Sequence, residues 1–205
     1  MHFLNAPDHY VFLSVEMLLN ENVLIQGEKC QLVPYSRDLV EEYHNWFKSD
    51  PELLELTGSD ILTLEEEFAN QESWRTDPDK LTFLIRDTTD RSTGCQSPLC
   101  GDINLFLSQE EDDEGCQTER VVGEVNLMIA RIESRRKGIA VEALTLFEEY
   151  ALQHIPNLSV FIAKIQAHNE ASINLFQKRG YKSYKDVPCF NEVHLIKDID
   201  AVLSE

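Results

Sequence analysis

Apolar positions along the chain fall into blocks with two different periods. CQLVPY (Cys30–Tyr35) is a short apolar run that reads as a first strand. After Ser36, a candidate N-cap, Leu39, Val40, Tyr43, Trp46 and Phe47 recur at helical spacing until Pro51 and Gly58 break the pattern. Thr63 and Glu66 form a capping-box pair at the head of TLEEEFANQESW, which predicts a second helix. LTFLIRD (Leu81–Asp87) is a strand, and TTDRSTGCQSPLC is a loop by its Ser, Thr, Gly and Pro content. GDINLFL follows as a strand, SQEEDDEGCQTE as a solvated acidic loop, and VVGEVNLMIA (Val121–Ala130) as a long strand.

Beyond Gly138, Ile139, Ala143, Leu146, Phe147 and Tyr150 mark a clear helix. LSVFIAKI (Leu158–Ile165) is β-branched and apolar, so it reads as a buried strand. EASINLFQKRG is a short helix with Gly180 as its C-cap, and YKSYKDV with FNEVHLIKDI forms a hairpin around Pro188. The order β-α-α-β-β-β-α-β-α-β-β predicts an α/β fold: a seven-stranded mixed sheet flanked by helices on both faces.

The length of 205 residues suits one domain, expected over 20–205, with residues 1–19 as a loosely ordered extension. YVFLSVEMLL within that extension is interrupted by Glu16, follows no basic region, precedes no small-residue cleavage site and is too short to span a bilayer. Met17 is an alternative start, since the globular pattern begins after it.

Charge narrows the partners. A formal net charge of −19 repels nucleic acid and anionic lipid, so neither nucleic acid nor membrane is expected as a partner. The same charge favours a cationic acceptor such as a protein amine, although solubility alone also accounts for it. The five cysteines are odd in number and include no C-x-x-C pair, and the six histidines include no H-x-x-x-H. Neither a disulfide framework nor a metal site is expected, and a reducing cytosol suits this usage.

Against that acidity, ESRRKGIAVEAL gathers Arg135, Arg136 and Lys137 directly before Gly138, Ile139 and Ala140. A helix N-terminus exposes unpaired N–H groups and the positive end of a dipole, and small residues leave them accessible. Such a terminus can bind phosphate. The segment matches neither G-x-x-x-x-G-K-[ST] nor G-x-G-x-x-G, so its local chemistry leaves open an anion site or a solvated basic turn.

Two motifs together carry a resemblance. Arg135-x-x-Gly138-x-Ala140 fits Q/R-x-x-G-x-G/A, and HNEASINLFQKRGYKSY fits N-x-x-[AS]-[IR]-x-[LF]-[YF]-x-K-x-G-[FY] from Asn169 to Tyr181. In this order, each after a strand, they resemble the GCN5-related N-acetyltransferase (GNAT) superfamily. A longer stretch, including GDINLFL, GEVNLMIA and FQKRGYKSYKDVPCFNEVHL, is similar to the N-acetyltransferase-nine group of that superfamily.

The resemblance implies an acetyl-CoA-dependent N-acetyltransferase with an acyl-CoA N-acyltransferase fold. It implies that Val121–Ala130 and Leu158–Ile165 splay apart and that acetyl-CoA lies between them. Arg135, Arg136, Lys137, Gly138, Ile139 and Ala140 would hold its pyrophosphate. Backbone groups of Met128, Ile129 and Ala130 would hold the pantetheine arm, and Asn169 and Phe176 would contact the cofactor. For the longer stretch, the resemblance implies a protein N-terminus as acceptor, such as that of α/β-tubulin, in the cytoplasm and at microtubules. A small-amine acetyltransferase, or a non-catalytic microtubule-associated protein on the same fold, are the alternative functions.

The chemistry favours an α-amine. At pH ~7.4 deprotonation costs about 0.5 kcal/mol for an α-amine and about 4 kcal/mol for a lysine. Glu124, where the family often places a carboxylate, is the candidate base, against a plain outward-facing strand glutamate. Alternation puts Glu124, Asn126 and Met128 on one face. Many family members carry a tyrosine where this chain has Phe176, so no phenol is expected there to protonate the thiolate. Tyr181 reads as core, His168 has no evident carboxylate partner, and the loop Glu110–Glu119 would favour a basic residue near the acceptor amine.

Overall fold

The computed structural model describes residues 19–49, 53–54, 60–92, 96–111 and 117–199. Residues 1–18 of the extension expected at 1–19, and the middle of the acidic loop, lie outside the described residues. Strands are β1 (Ile25–Gln26), β2 (Cys30–Pro34), β3 (Lys80–Asp87), β4 (Leu99–Glu111), β5 (Gln117–Ile129), β6 (Leu158–Gln166), β7 (Lys182–Val187) and β8 (Glu192–Asp198). Helices are α1 (Val40–Ser49), α2 (Leu64–Thr76), α3 (Ile139–His154) and α4 (Glu170–Lys178).

The described strands form one mixed sheet in the order β1-β2-β3-β4-β5-β6-β8-β7, with β5 and β6 the single parallel pair. The sheet therefore has eight strands where the apolar pattern predicts seven. The extra strand, β1, contributes only the pairs Ile25↔Leu32 and Gln26↔Gln31, too short a run to show a period. The acidic loop is also shorter than predicted, because β4 continues to Glu111 and β5 starts at Gln117. Polar residues there extend the two-stranded ladder past the end of the apolar alternation.

Local chemistry sets most of the helix ends. Thr63 Oγ1 accepts from Glu66 N–H at 3.2 Å while Glu66 Oε2 accepts from Thr63 N–H at 2.8 Å, the predicted capping box. Ser36 differs from expectation: a 3₁₀ turn over Arg37–Leu39 precedes α1, and the Ser36 side chain makes no capping bond. Gly180, at φ 90°, follows α4 and turns the chain into Tyr181.

Both faces of the sheet are covered, which is why β3 reads as a continuous apolar run. On one face α3 packs Phe147 and Tyr150 edge-on against Phe83, at 6.1 and 5.4 Å between ring centroids. On the other, Tyr35, Val40 and Tyr43 meet Leu84, Leu99 and Met128.

One break in this sheet matters for function. β5 and β6 pair only over Val121–Glu124 and Leu158–Ile162. Beyond Glu124, β5 stays paired to β4 as far as Ile129, and β6 stays paired to β8 as far as Gln166. The middle of the sheet is thus split toward the C-terminal ends of two parallel strands, with firm partners on both outer sides.

Candidate active site

The chain leaves β5 through Arg131 and a 3₁₀ turn at Ile132–Ser134, then enters α3 at Gly138. Arg136 and Gly138 both have left-handed backbone, at φ 65° and 85°. Glycine takes that conformation without strain, which explains Gly138 at the N-cap. The first bond into the helix is Glu142 N–H to Gly138 carbonyl at 3.2 Å. The N–H groups of Ile139, Ala140 and Val141 therefore have no intrahelical acceptor and stand at the positive end of the dipole.

A carboxylate in the first turn of α3 would compete with an anionic ligand. Glu142 is instead turned away and accepts from the N–H groups of Glu28, Lys29 and Cys30 at 3.0, 2.8 and 2.8 Å. Burial opposes its ionisation, but those backbone bonds outweigh it and hold its carboxyl below the usual range.

The predicted cations divide their work. Arg135 donates through Nε to the Ile129 carbonyl at 2.9 Å and through Nη2 to the Ala130 carbonyl at 3.2 Å, which fastens the loop to the end of β5. Lys137 donates to Oδ2 of Asp87 at 2.9 Å. Asp87 is fully buried and also accepts from Ser134 Oγ, from Thr89 and from Asp90 N–H. Burial alone would raise its pKa, but bonds from Thr89, Lys137 and Ser134 pull it well below the ordinary carboxylate value. Arg136 is exposed at the mouth.

Two cavities adjoin at the split. One, of about 390 Å³, runs from Arg135, Arg136 and the Gly138–Val141 turn past Met128 and Ile129 to Asn169, Ser172 and Leu175. The other, of about 290 Å³, is lined by Tyr43, Trp74, Asp102, Asn104, Asn126, Met128, Lys164, Asn169 and Phe176 among others. Leu127, Met128, Asn169 and Ser172 belong to both walls. Gly101, paired with Ile129, lets β4 lie close here: a Cβ on it would come within 2.0 Å of the Met128 carbonyl oxygen.

Of the residues the sequence singled out, Met128, Ile129, Arg135, Arg136, Gly138, Ile139, Ala140 and Asn169 share the larger cavity. Ala130 and Lys137 support it from the strand end and from Asp87. Asn169 caps α4, its Oδ1 accepting from Ser172 N–H at 3.1 Å. Phe176, 2% exposed, faces the smaller cavity and packs edge-on against Tyr181 at 4.9 Å.

The Tyr181 phenol is committed elsewhere, donating to Glu148 at 2.8 Å, and burial followed by the Glu148 charge raises its pKa strongly. Glu124 is the last residue of β5 paired with β6 and lies 2.5 Å from Lys164, with its side chain 28% exposed. It is not among the residues lining either cavity, whereas Lys164 lines the smaller one. His168 is exposed. Trp46 packs against the apolar cluster beneath α1, and Trp74 lines the smaller cavity.

Sequence reasoning missed Asp102, Asn104 and Tyr43. Asp102 and Asn104 lie in the GDINLFL strand directly opposite Met128 and Asn126. Tyr43 lies on the apolar side of α1 but points its hydroxyl at Asp102. A signal was present: two polar residues at alternating positions in an otherwise apolar central strand.

The split parallel pair, the glycine turn with open amides, and a channel joining them define a GNAT-type acyltransferase scaffold. Residues 30–182 match the Acetyltransferase (GNAT) domain family, and this chain belongs to it. The chain is an acetyl-CoA-dependent N-acetyltransferase. It is 44% identical over 179 residues to an N-acetyltransferase 9-like protein of Caenorhabditis briggsae, covering 86% of each chain. It is 40% identical over 184 residues to the human alpha/beta-tubulin-N-acetyltransferase 9, covering 87% of this chain and 84% of that one. Among solved structures, the ribosomal L7/L12 alpha-N-protein acetyltransferase RimL superposes with a TM-score of 0.67 at 12% identity, over 86% of this chain and 94% of that one, a likeness of fold. Among the described residues no group of three or more His, Cys, Asp or Glu side chains is placed to hold a metal ion, and no helix is long and apolar enough to cross a membrane.

Proposed function

We propose that this chain acetylates the α-amine of protein N-termini, with tubulin as acceptor and the cytoplasm and microtubules as its place of work. The observation that carries this is the meeting of two cavities at Leu127 and Met128, one ending on helix amides and the other on buried polar side chains. The name of the human relative, matched over most of both chains, supports tubulin.

Acetyl-CoA, when bound, supplies an acetyl thioester. In this reading Arg136 and the N–H groups of Ile139, Ala140 and Val141 attract and hold its diphosphate, while Arg135 and Lys137 keep the loop in shape. Main-chain groups of Met128, Ile129 and Ala130, left without a β6 partner by the split, hold the arm and polarise the reacting carbonyl. Asn169 and Ser172 line the passage to the acceptor cavity. Phe176 and Met128 give the passage an apolar wall that excludes water and strengthens polar contacts within it. Glu124, the base expected from the sequence, stands where the strands part, paired with Lys164 and outside the lining of both cavities.

The acceptor preference follows from proton affinity. An α-amine is neutral far more often than a lysine near neutral pH, so a carboxylate base suffices for it. Mass spectrometry of a peptide library incubated with the protein and acetyl-CoA tests the reading. The expected product is acetylation of free α-amines, with tubulin N-terminal peptides among the best acceptors. Acetyl transfer confined to lysine side chains or to free polyamines would overturn it.

A further inference from the structure

The acceptor cavity contains a buried carboxylate that the foregoing mechanism leaves unused. Asp102 is 4% exposed, and its Oδ2 accepts from Tyr43 Oη at 3.0 Å and from Asn104 Nδ2 at 3.0 Å. Both donors are neutral, and among the described residues no lysine, arginine or histidine is paired with it. A second buried carboxylate, Glu67 of α2, stands behind it, held by Tyr35 Oη at 3.1 Å. Beside Asp102, the Oδ1 atom of buried Asn104 has no hydrogen-bond partner. A carboxylate with only neutral donors, next to an unmet acceptor in a cavity wall, lacks a cation that carries several N–H groups.

We propose that Asp102 receives the acceptor's α-ammonium and takes its proton, with Asn104 Oδ1 accepting a second N–H and Tyr43 positioning the carboxylate. This rests on the reading of the smaller cavity as the amine site. Asp102 stands opposite Met128, whose residue is shared by both cavities, so the amine would arrive beside the thioester. In the step, one N–H bond of the ammonium breaks and an O–H bond forms on Asp102. The freed lone pair attacks the acetyl carbonyl carbon, the C–S bond breaks, a second nitrogen proton leaves with the thiolate sulfur, and Asp102 returns its own proton to solvent.

Glu124 is placed less favourably, since Lys164 already neutralises it at 2.5 Å. Burial raises the Asp102 carboxyl to about 6, even though Asn104 and Tyr43 favour its charged form. That value keeps it ionised at neutral pH while leaving it basic enough to accept a proton. The groups facing it are Tyr43 from α1, Glu67 from α2 behind it, with His44 beside that glutamate, and Lys164 from β6 across the cavity.

The experiment compares wild type, Asp102→Asn, Glu124→Gln and Tyr43→Phe on one peptide with a free α-amine, from pH 5 to 9. Binding of coenzyme A is measured by calorimetry, and binding of the C-terminally labelled peptide to the coenzyme A-loaded protein by anisotropy. Wild-type kcat/KM should hold down to about pH 6, below the amine's own pKa of about 8. Asp102→Asn should lose on the order of 100-fold at pH 7, follow the amine's own ionisation near pH 8, and bind peptide at least tenfold more weakly with coenzyme A affinity unchanged. Glu124→Gln should stay within tenfold and keep the wild-type profile.

Wild-type rate and profile in Asp102→Asn, or the Asp102→Asn behaviour appearing in Glu124→Gln instead, would overturn the proposal. Should Asp102→Asn not fold, Tyr43→Phe decides: the acid limb moves to higher pH if the carboxylate is the base, and an unmoved limb counts against it. If wild type acetylates only a small free amine, the N-terminal reading fails, and the same four-way comparison on that amine still decides the role of Asp102.

Discussion

At one end of the β5–β6 split the ligand-facing groups are main-chain amides at the head of α3, and the nearby charged side chains are mostly committed inward. Arg135 holds two carbonyls, Lys137 holds Asp87, and Glu142 holds three N–H groups of residues 28–30. At the other end the groups facing the cavity are side chains: Tyr43 from α1, Asp102 and Asn104 from β4, Lys164 from β6. The first kind of site depends on backbone conformation and answers to any phosphate-bearing ligand. The second depends on the identity of a few buried atoms and can discriminate among acceptors. In the proposed reading, the fold separates holding a cofactor common to its family from choosing an acceptor.

That contrast can be broken from either end. The largest effect is expected for Asp87→Asn, which removes the buried partner of Lys137 and should destabilise the protein by about 3 kcal/mol in chemical denaturation at pH 7. Asp87 has a lowered pKa in the folded state, so its contribution is present at neutral pH and is lost as pH falls below the ordinary carboxylate value. The gap between wild type and variant should narrow in acid.

Asp102→Asn should do the opposite. The folded carboxyl lies at about 6 against an ordinary 3.8, so ionising it costs up to about 3 kcal/mol of stability. The sign follows: wild-type stability falls as pH rises from about 4 to 6 and is flat above that. The variant should be the more stable protein at pH 8, with the two converging near pH 4 in matched thermal melts.

Gly138→Val tests the backbone-built end. A β-branched residue at φ 85° is strained, so the turn that presents the amides must shift, and its Cβ would come within 2.9 Å of Lys29 Nζ. The KM for acetyl-CoA should rise about 30-fold, equivalent to ~2 kcal/mol, with the acceptor KM unchanged. Arg136→Ala should do least, raising the acetyl-CoA KM about threefold, with the difference shrinking as salt is raised. If Arg136→Ala outweighed Gly138→Val, side-chain charge rather than backbone geometry would dominate that end.

The same contrast explains what could be read from the chain. The R-x-x-G-x-A turn and the Asn169 segment are contiguous, so their residues are bound to meet wherever the chain folds, and most of them share one cavity. The long strands, the capping box at Thr63 and the C-terminal hairpin were legible because period and caps are local. The smaller cavity joins residues 43, 102 and 164, whose meeting depends on sheet register and on how α1 crosses the sheet. Register also puts Glu124 opposite Phe106, four residues along β5 from the Met128–Asp102 pair, a distinction that alternation alone does not make. Ser36 failed as a cap because a 3₁₀ turn intervenes before α1.

The decisive experiment is a crystal structure with acetyl-CoA. Its diphosphate oxygens should lie within hydrogen-bond reach, about 3 Å, of the N–H groups at Ile139–Val141, with the acetyl group in the split at Met128 facing Asp102. Acetyl-CoA bound elsewhere, or β5 and β6 paired through Ile129 with the α3 amides facing only water, would contradict that placement.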